Sequence, residues 1–315
     1  MRARAPWLLA PLSLLAATSC SFPASIALPT FATVFSTPAK VPNKITRPVR
    51  DGARLAVLWV GHATVLLQMD DRLILTDPVF TSTIGQVSRR LVEPGIDVES
   101  VPRLDVALIS HLHFDHLSLG SLSLLERKIG TLIVPQKGLV YVPDYPFESI
   151  ELPTWSTWES GGLRVTAVPV QHSGFRYGID RAWMDTSFTG YVIEYHGLTV
   201  YFGGDTAYNH DFVAATAARF PSIDLALLPI APIHPRDHMV DRHVDPGEAT
   251  RIFLELHARF FVPIHFGTFL NSEDAPGDPL AELRIAAAKN KLAPGALHVL
   301  TQGEQQVLLA RPLAE

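Results

Sequence analysis

Residues 105–116 read DVALISHLHFDH, a pattern that predicts a buried strand running directly into a metal site. The first half is a continuous apolar run, which is typical of a strand buried on both faces. His111 and His113 stand two residues apart, so their side chains can converge from one side of an extended segment. Asp115 and His116 turn toward the same point as the chain enters a predicted helix. Imidazole and carboxylate groups suit Zn²⁺ and other divalent first-row metals.

Further candidate ligands follow other predicted strands. Each of three residues ends an apolar, strand-like run: His172, Asp205 and His265. Loops at one edge of a β scaffold commonly carry the functional groups of a protein. We therefore expect these three side chains to complete the metal site.

The order of the predicted elements repeats within the chain. A hairpin, an acidic strand end and an Asp-x-Ala-Leu strand occur between residues 55 and 110, and again between residues 189 and 229. This weak duplication predicts two β-rich halves packed sheet on sheet. Helices are predicted at residues 117–127, 249–259 and 280–291, the second beginning after Asp245 as N-cap, and a last strand at 306–309.

The composition restricts both the partners and the kind of site. The chain has 315 residues, 47% of them hydrophobic, which is ample for a full core. Its formal net charge of -5 gives no basis for general nucleic-acid binding. A single cysteine excludes an internal disulfide and any cysteine-rich metal site, so a metal must be held by histidines and carboxylates.

The first fifty residues predict export. Arg2 and Arg4 precede a mostly apolar stretch at residues 7–17 that is too short to span a membrane. Cys20 then stands where the cleavage site of a bacterial lipoprotein lies, and Ser21 after it favours the outer membrane. The alternative is an ordinary cleaved signal with an incidental cysteine. We predict a signal peptide over residues 1–19, an anchor and flexible tether over 20–50, and a catalytic domain over 51–315 on the periplasmic side.

Taken together, the ligand pattern resembles the metallo-β-lactamase superfamily over roughly residues 55–310. The resemblance implies an α+β fold, a four-layer αββα sandwich with two sheets flanked by helices. It also implies two Zn²⁺ ions, with other divalent first-row metals as alternatives. Carried over by motif, the first metal is bound by His111, His113 and His172, the second by Asp115, His116 and His265, and Asp205 bridges the two.

Five shorter motifs narrow the resemblance. They are WVGHAT at 59–64, TDPVF at 76–80, GDT at 204–206, HVDP at 243–246 and HFGTF at 265–269. Together they resemble the phospholipase D group that hydrolyses N-acylphosphatidylethanolamine. Residues 235–239 read PRDHM where that group has Pro-Arg-Trp-Phe-Met, so two aromatic residues are replaced. The resemblance therefore supports metal hydrolysis more firmly than it supports a particular lipid.

The function expected from these patterns is that of an exported dinuclear hydrolase cleaving a phosphodiester, in a phospholipase D-like reaction on N-acylphosphatidylethanolamine or a related phospholipid. A hydroxide held by the metal pair would attack phosphorus in line. The alternatives are a lactonase or other ester hydrolase on the same site, and a surface binding protein whose metal is structural. Seven ligand positions count against the last, because a structural site closes with four. The oligomeric state stays open.

Several residues outside the ligand set are candidates for other roles. Asp115, Asp205 and His243 are the candidate catalytic residues. His243 precedes a helix and either protonates a leaving group or binds a phosphate oxygen, or else it is a solvent-exposed flanking residue. Asp77 is expected to orient metal ligands or satisfy a turn, and His62 has similar status. His234 and His238 lie in the altered loop and are expected to be exposed.

Overall fold

A computed structural model of the chain describes residues 24–85 and 88–311. The predicted signal peptide, Cys20 and Ser21 lie outside the described residues. None of the helices in the described ranges has the length and the apolar character that crossing a membrane requires.

In chain order the strands are β1 (Ala53–Gly61), β2 (Thr64–Met69), β3 (Arg72–Thr76), β4 (Thr83–Ile84), β5 (Ser88–Arg89), β6 (Leu104–Leu108), β7 (Ile129–Pro135), β8 (Glu148–Leu152), β9 (Thr157–Ser160), β10 (Leu163–Val168), β11 (Gly190–Tyr195), β12 (Leu198–Phe202), β13 (Leu225–Pro229), β14 (Phe260–Ile264) and β15 (Gln305–Ala310). The helices are α1 (Ala24–Ala32), α2 (Leu119–Leu124), α3 (Arg181–Met184), α4 (His210–Arg219), α5 (Arg236–Met239), α6 (Pro246–Glu255) and α7 (Asp278–Lys289).

The strands form two large sheets with related topologies. The first has the order β15-β1-β2-β3-β6-β7-β8 and the second the order β14-β13-β12-β11-β10-β9. In the first, the antiparallel β2–β3 hairpin is followed by parallel pairing of β3 with β6, Ile74 lying opposite Val106. In the second, the β11–β12 hairpin is followed by parallel pairing of β12 with β13, Val200 lying opposite Leu225. The repeated order of elements in the sequence thus corresponds to two similar sheets.

Alternate residues of the strands face different layers. In β1, Val57 and Trp59 belong to the core shared by the two sheets, whereas Leu58 and Val60 pack in a second core together with Leu122 of α2. The outer face of the other sheet is covered by helices α4, α6 and α7, whose buried residues join the shared core: Val213, Ile252 and Leu283. These layers are those of the four-layer αββα sandwich, and the predicted fold is confirmed.

The helices follow their local signals. Asp245 caps α6 through a capping box in which Glu248 N–H donates to Asp245 at 2.8 Å and Glu248 accepts from the N–H of Asp245 at 3.1 Å. Helix α2 is shorter than the predicted 117–127. Ser118 caps it, and a turn at Leu125 closes it before β7 begins, so the tertiary pairing of β7 overrides the helical pattern.

The predicted flexible tether over residues 20–50 is wrong for the described part of that segment. Helix α1 buries Ile26, and the Oγ1 of Thr30 donates to the carbonyl of Leu270 at 2.9 Å. Ala39 then pairs with Val92. The abundance of proline, serine and threonine suggested a linker, but here the hydroxyl groups satisfy backbone atoms while apolar residues between them pack on the body of the protein.

Candidate metal centre

The candidate ligands meet where strand ends from both sheets come together. His111 follows β6 of the first sheet and forms an isolated bridge with Phe188, which leads into β11 of the second. Asp205, shortly after β12, lies 3.9 Å from His111 between Oδ2 and Nε2. Its Oδ1 lies 3.1 Å from the Nε2 of His265, the residue directly after β14. Segments more than 150 residues apart in the chain therefore supply one buried cluster.

Two groups of side chains each bring their ligand atoms within 4.8 Å of one another. One contains His111, His113 and His172, and the other contains His62, Asp115, His116 and His265. Asp205 lies next to both groups. Its carboxylate is within 4.8 Å of the ligand atoms of His111 and His116, and also of those of His172 and His243. The structure thus brings together all seven residues of the predicted ligand set, and it adds His62 and His243 beside them.

The nitrogen and oxygen atoms of this cluster are better placed to bind metal ions than to form hydrogen bonds with one another. The Nε2 atoms of His113 and His172 are buried without a hydrogen-bond partner in the described ranges. The Nε2 of His116 faces the Nε2 of His265 at 3.2 Å, a contact in which only one nitrogen can donate. Buried polar atoms without partners are costly, and divalent ions among these nitrogens and carboxylates would satisfy them.

Burial keeps much of the cluster in the protonation state that binds metal. Burial lowers the pKa of His113 to about 3 and that of His111 well below its usual value, so both are neutral. His116 differs. Burial disfavours its charged form, but the carboxylates of Asp205, Asp115 and Asp77 prevail and raise its pKa well above the usual value. Despite its own burial, Asp205 has a pKa well below its usual range because of the imidazoles of His265 and His116.

Hydrogen bonds behind the cluster fix the orientation of the imidazole rings. Asp77 accepts from the Nδ1 of His116 at 2.6 Å and from the backbone N–H and Oγ of Ser110 at 2.7 and 2.6 Å. The Nδ1 of His172 donates to the carbonyl of Arg242 at 2.9 Å, and that of His265 to the carbonyl of Ala231 at 2.9 Å. Each bond leaves Nε2 directed into the cluster, as in metal sites whose ligands are held from outside. Asp77 thus orients a candidate ligand, as the sequence suggested.

Replacing Asp77 by asparagine is expected to weaken metal binding by roughly 10–100-fold, because the amide cannot hold His116 as a carboxylate does. The measurement is a zinc competition titration with a chromogenic chelator. Asp105→Asn is the matched control, since Asp105 accepts from the N–H of Leu73 at 2.8 Å away from the cluster. Equal zinc affinity in the Asp77 variant and the unsubstituted chain would contradict this role.

Sequence reasoning underestimated His62. Its Nε2 donates to Asp115 Oδ2 at 3.0 Å, and its ring lies 3.8 Å from that of His265 between centroids. Burial, followed by the nearby His265, lowers its pKa to about 3. His62 has a positive φ of 56°, which turns the chain sharply after β1. Its position after Gly61 at a strand end was the available signal, but its partners come from distant segments.

The remaining candidates divide into buried and exposed. His243 is buried, with its Nδ1 3.7 Å from Asp205 Oδ2, so the solvent-exposed alternative for this residue is wrong. His234 is exposed as expected, and its Nδ1 lies 2.9 Å from Asp274 Oδ1. His238 is partly buried rather than exposed, since it lies 3.4 Å from Arg242.

Arg176 supports the motif loop and was missed by sequence reasoning. It donates to the carbonyls of Leu112 and Leu117 at 2.8 and 2.9 Å, and its guanidinium lies 4.2 Å from the centroid of Phe114. The buried guanidinium thus holds the loop that carries the first candidate ligands. An isolated arginine in a polar stretch of sequence gives no signal for this contact.

Residues 72–266 match the family model described as a β-lactamase superfamily domain. An uncharacterised protein of Mycobacterium tuberculosis is 32% identical over 251 residues, covering 75% of this chain and 65% of the relative. The mitochondrial N-acyl-phosphatidylethanolamine-hydrolyzing phospholipase D of Saccharomyces cerevisiae is 30% identical over 246 residues, covering 73% of this chain and 51% of the relative. The chain thus spans about half to two thirds of these relatives.

Two further comparisons cover nearly the whole of the similar protein. A metal-dependent hydrolase of Anaeromyxobacter is 29% identical over 259 residues, which are 79% of this chain and 88% of the relative. The solved structure of a metallo hydrolase of Ignicoccus hospitalis superposes with a TM-score of 0.58 at 19% identity, covering 80% of this chain and 97% of the other. The latter similarity supports the fold alone.

Proposed function

The chain belongs to the metallo-β-lactamase superfamily, and on that premise we propose that this metal-dependent hydrolase cleaves phosphodiester bonds with two divalent metal ions. The observation that carries the proposal is the position of Asp205, whose carboxylate lies between two groups of histidines. A structural metal site closes with four ligands, whereas this cluster offers ligands for two ions.

The proposed ligand assignment follows the two groups. His111, His113 and His172 would hold one ion, Asp115, His116 and His265 would hold the other, and Asp205 would be a ligand available to either. Imidazole and carboxylate groups suit Zn²⁺, which is the proposed metal, and other divalent first-row ions suit the same set. When bound, such a pair supplies a hydroxide that is nucleophilic at neutral pH and charge that stabilises a phosphodiester under attack.

The protein's own groups would orient the substrate and move a proton. Asp77 fixes the orientation of the His116 imidazole through its hydrogen bond to Nδ1. His243 faces the cluster from the segment before α6, and its Nδ1 is buried without a hydrogen-bond partner in the described ranges. Burial lowers the pKa of His243 well below its usual value, so donation of a proton requires the negative charge of a bound phosphodiester to raise it; with that substrate we assign His243 to the leaving-group oxygen, as proton donor or hydrogen-bond donor.

Phospholipid is the proposed substrate class, with the headgroup released in a phospholipase D-like reaction on N-acylphosphatidylethanolamine or a related lipid. The similarity to the yeast relative supports this choice, since the enzyme of that name acts on such a lipid. Export and a lipid anchor at Cys20 are proposed with it, because they would hold the chain at a membrane. Mass spectrometry of membrane-extracted protein tests the anchor.

A lactonase is the second candidate, and one segment favours it. Helix α5 carries Asp237 and His238 where the phospholipase D group has aromatic residues, and Asp237 is exposed. A polar loop near the site suits a small polar substrate better than an acyl chain.

The test is incubation of the zinc-loaded chain with N-acylphosphatidylethanolamine, phosphatidylcholine, a chromogenic phosphodiester and a lactone, with products identified by mass. Release of the headgroup together with phosphatidic acid supports the hypothesis of a phospholipase D-like reaction. Hydrolysis of the chromogenic ester alone supports metal-dependent cleavage of phosphodiesters and excludes these two lipids as substrates. Hydrolysis of the lactone alone favours the second candidate, and turnover of none contradicts the proposal.

His243→Gln is expected to lower turnover of substrates with alkyl leaving groups by about 10²–10⁴-fold, the range for loss of a general acid. Turnover of a nitrophenyl ester should fall far less, because nitrophenolate leaves without a proton. The comparison of kcat for the two substrates is the measurement, with metal content checked and His234→Gln as the exposed-histidine control. Equal losses for both substrates would contradict proton donation.

A further inference from the structure

Helix α1 has apolar side chains on two opposite faces. One face packs on the protein: Ile26 is fully buried and Thr30 donates to the carbonyl of Leu270, and the same side continues to the buried Thr33 in the turn after α1. At helical spacing, Leu28 and Phe31 point away from that face. A helix with one buried apolar face normally exposes a polar one, so the second apolar face of α1 needs its own explanation.

The exposed face is large for so short an element. Leu28 is 72% exposed, Phe31 is 52% exposed and Phe35, one turn farther on, is 81% exposed. The rings of Phe31 and Phe35 lie 6.0 Å apart in an edge-to-face arrangement, so they form one continuous surface. Single exposed apolar residues are ordinary, but a cluster of this kind marks a place where the protein contacts an apolar phase or partner.

The surrounding sequence favours a lipid surface over a protein. Residues 5–39 contain no Asp, Glu, Lys, Arg or His. A protein–protein interface normally has a polar rim, which this stretch lacks, whereas exposed Phe and Leu side chains are those that helices at a membrane surface bury in the lipid. Only three residues separate Cys20 from Ala24, so the two residues lie at most about 14 Å apart. A lipid attached at Cys20 would hold α1 at the level of the lipid headgroups.

We propose that Leu28 and Phe31 of α1, together with Phe35 in the turn that follows it, insert into the surface of a lipid bilayer. The inference rests on the export and anchoring part of the proposed function, and it adds the surface that faces the lipid. It also relates the bilayer to the metal cluster. Thr30 contacts Leu270, and the ring of the adjacent Phe269 lies 5.0 Å from that of His62. Insertion of α1 would therefore bring this side of the metal site close to the lipid.

The single cysteine of the chain allows a direct test. In the full chain with Cys20→Ser, an environment-sensitive fluorophore is attached after Phe31→Cys, or after Ile285→Cys as a control at a 68% exposed site on α7. On vesicles of phosphatidylethanolamine and phosphatidylglycerol, the label at position 31 should shift to the blue and be quenched by lipid-borne nitroxide. The label at position 285 should do neither. No shift at position 31, or equal shifts at both, overturns the proposal.

A second comparison measures the contribution of the face. Phe31→Ser with Phe35→Ser should weaken vesicle binding at least about tenfold, through loss of buried apolar surface. The control pair Leu124→Ser with Ile285→Ser removes two apolar residues that are 54% and 68% exposed, and it should leave vesicle binding unchanged. Residues 1–19 are present in every variant, so any contribution that they make to vesicle binding is the same in all of them. If both pairs bind as the unsubstituted chain does, the face does not contact lipid.

Other occupants of the face give different results. A blue shift at position 31 without vesicles that grows with protein concentration would show a second copy on the face. A concentration-independent shift without vesicles would show residues 1–23 covering it. Either result overturns the proposal. Hydrolysis of bis(p-nitrophenyl) phosphate is followed in the same variants and should be unchanged. If no variant hydrolyses it, the proposed function fails while the vesicle result still stands.

Discussion

Asp205→Ala is expected to remove measurable turnover and at least one of the two metal equivalents. The carboxylate of Asp205 lies 3.3 Å from His116 and 3.1 Å from His265, and it reaches His111 and His172 on the other side at 3.9 Å. Its loss separates the two groups and leaves their imidazoles without the negative charge between them. The effect should exceed the roughly 10–100-fold cost of removing an outer hydrogen-bond partner from a metal site.

The measurement is metal content by mass spectrometry together with kcat on bis(p-nitrophenyl) phosphate. Asp224→Ala is the matched control, because Asp224 accepts from the N–H of Thr199 at 2.8 Å before β13 and has no contact with the cluster. That variant should keep both metals. Near-normal turnover by the Asp205 variant would show that the carboxylate is not part of the reaction.

Gly204→Ala is expected to destabilise the fold and the cluster together. Gly204 has a φ of +56°, which costs a residue with a side chain about 1–2 kcal/mol. A Cβ there would lie 2.4 Å from the Cβ of Ser110, which cannot move freely because Ser110 donates twice to Asp77. Overpacking adds about 1–3 kcal/mol, so the free energy of unfolding should fall by about 2–5 kcal/mol.

Gly197→Ala separates the cost of the positive φ from the cost of overpacking. Gly197 has a φ of +77° in the β11–β12 turn, and a Cβ there would meet nothing within 4 Å. The free energy of unfolding of this variant should therefore fall only by the cost of the positive φ, about 1–2 kcal/mol. Urea unfolding of both metal-free variants is the measurement. Equal losses would show that Ser110 moves aside without cost, and zinc affinity should then also be unchanged in the Gly204 variant.

The pairing of strands into two sheets could be predicted from sequence where the local pattern is strong. The alternating and continuous apolar runs of β1, β2, β6 and β13 each end at a residue that marks a turn. Less regular segments such as β8 and α1 were not predicted, because their burial depends on distant residues. Ile26 illustrates this: it is apolar within a linker-like composition, and only the folded protein supplies the surface on which it packs.

The candidate ligands were predictable and their surroundings were not. The two-residue spacing of His111 and His113 indicated that they are metal ligands. The position of His265 directly after a strand indicated the same. The contact of His62 with Asp115, and the clamp of Arg176 on the loop, join residues more than fifty positions apart. Such contacts follow from sheet register and sharp turns, which local sequence does not specify. His243 was a candidate from its place before a helix, but its burial could be seen only in the folded chain.

The central claim is that two metal ions in this cluster perform hydrolysis. The most direct test removes metal from the chain with a chelator and then adds zinc in steps, following bound metal and hydrolysis of bis(p-nitrophenyl) phosphate together. The account predicts no turnover without metal and a rise that ends at two equivalents per chain, with no rise for Asp205→Ala. Full turnover in the metal-free chain, or two tightly bound ions without turnover of any phosphodiester, would contradict it.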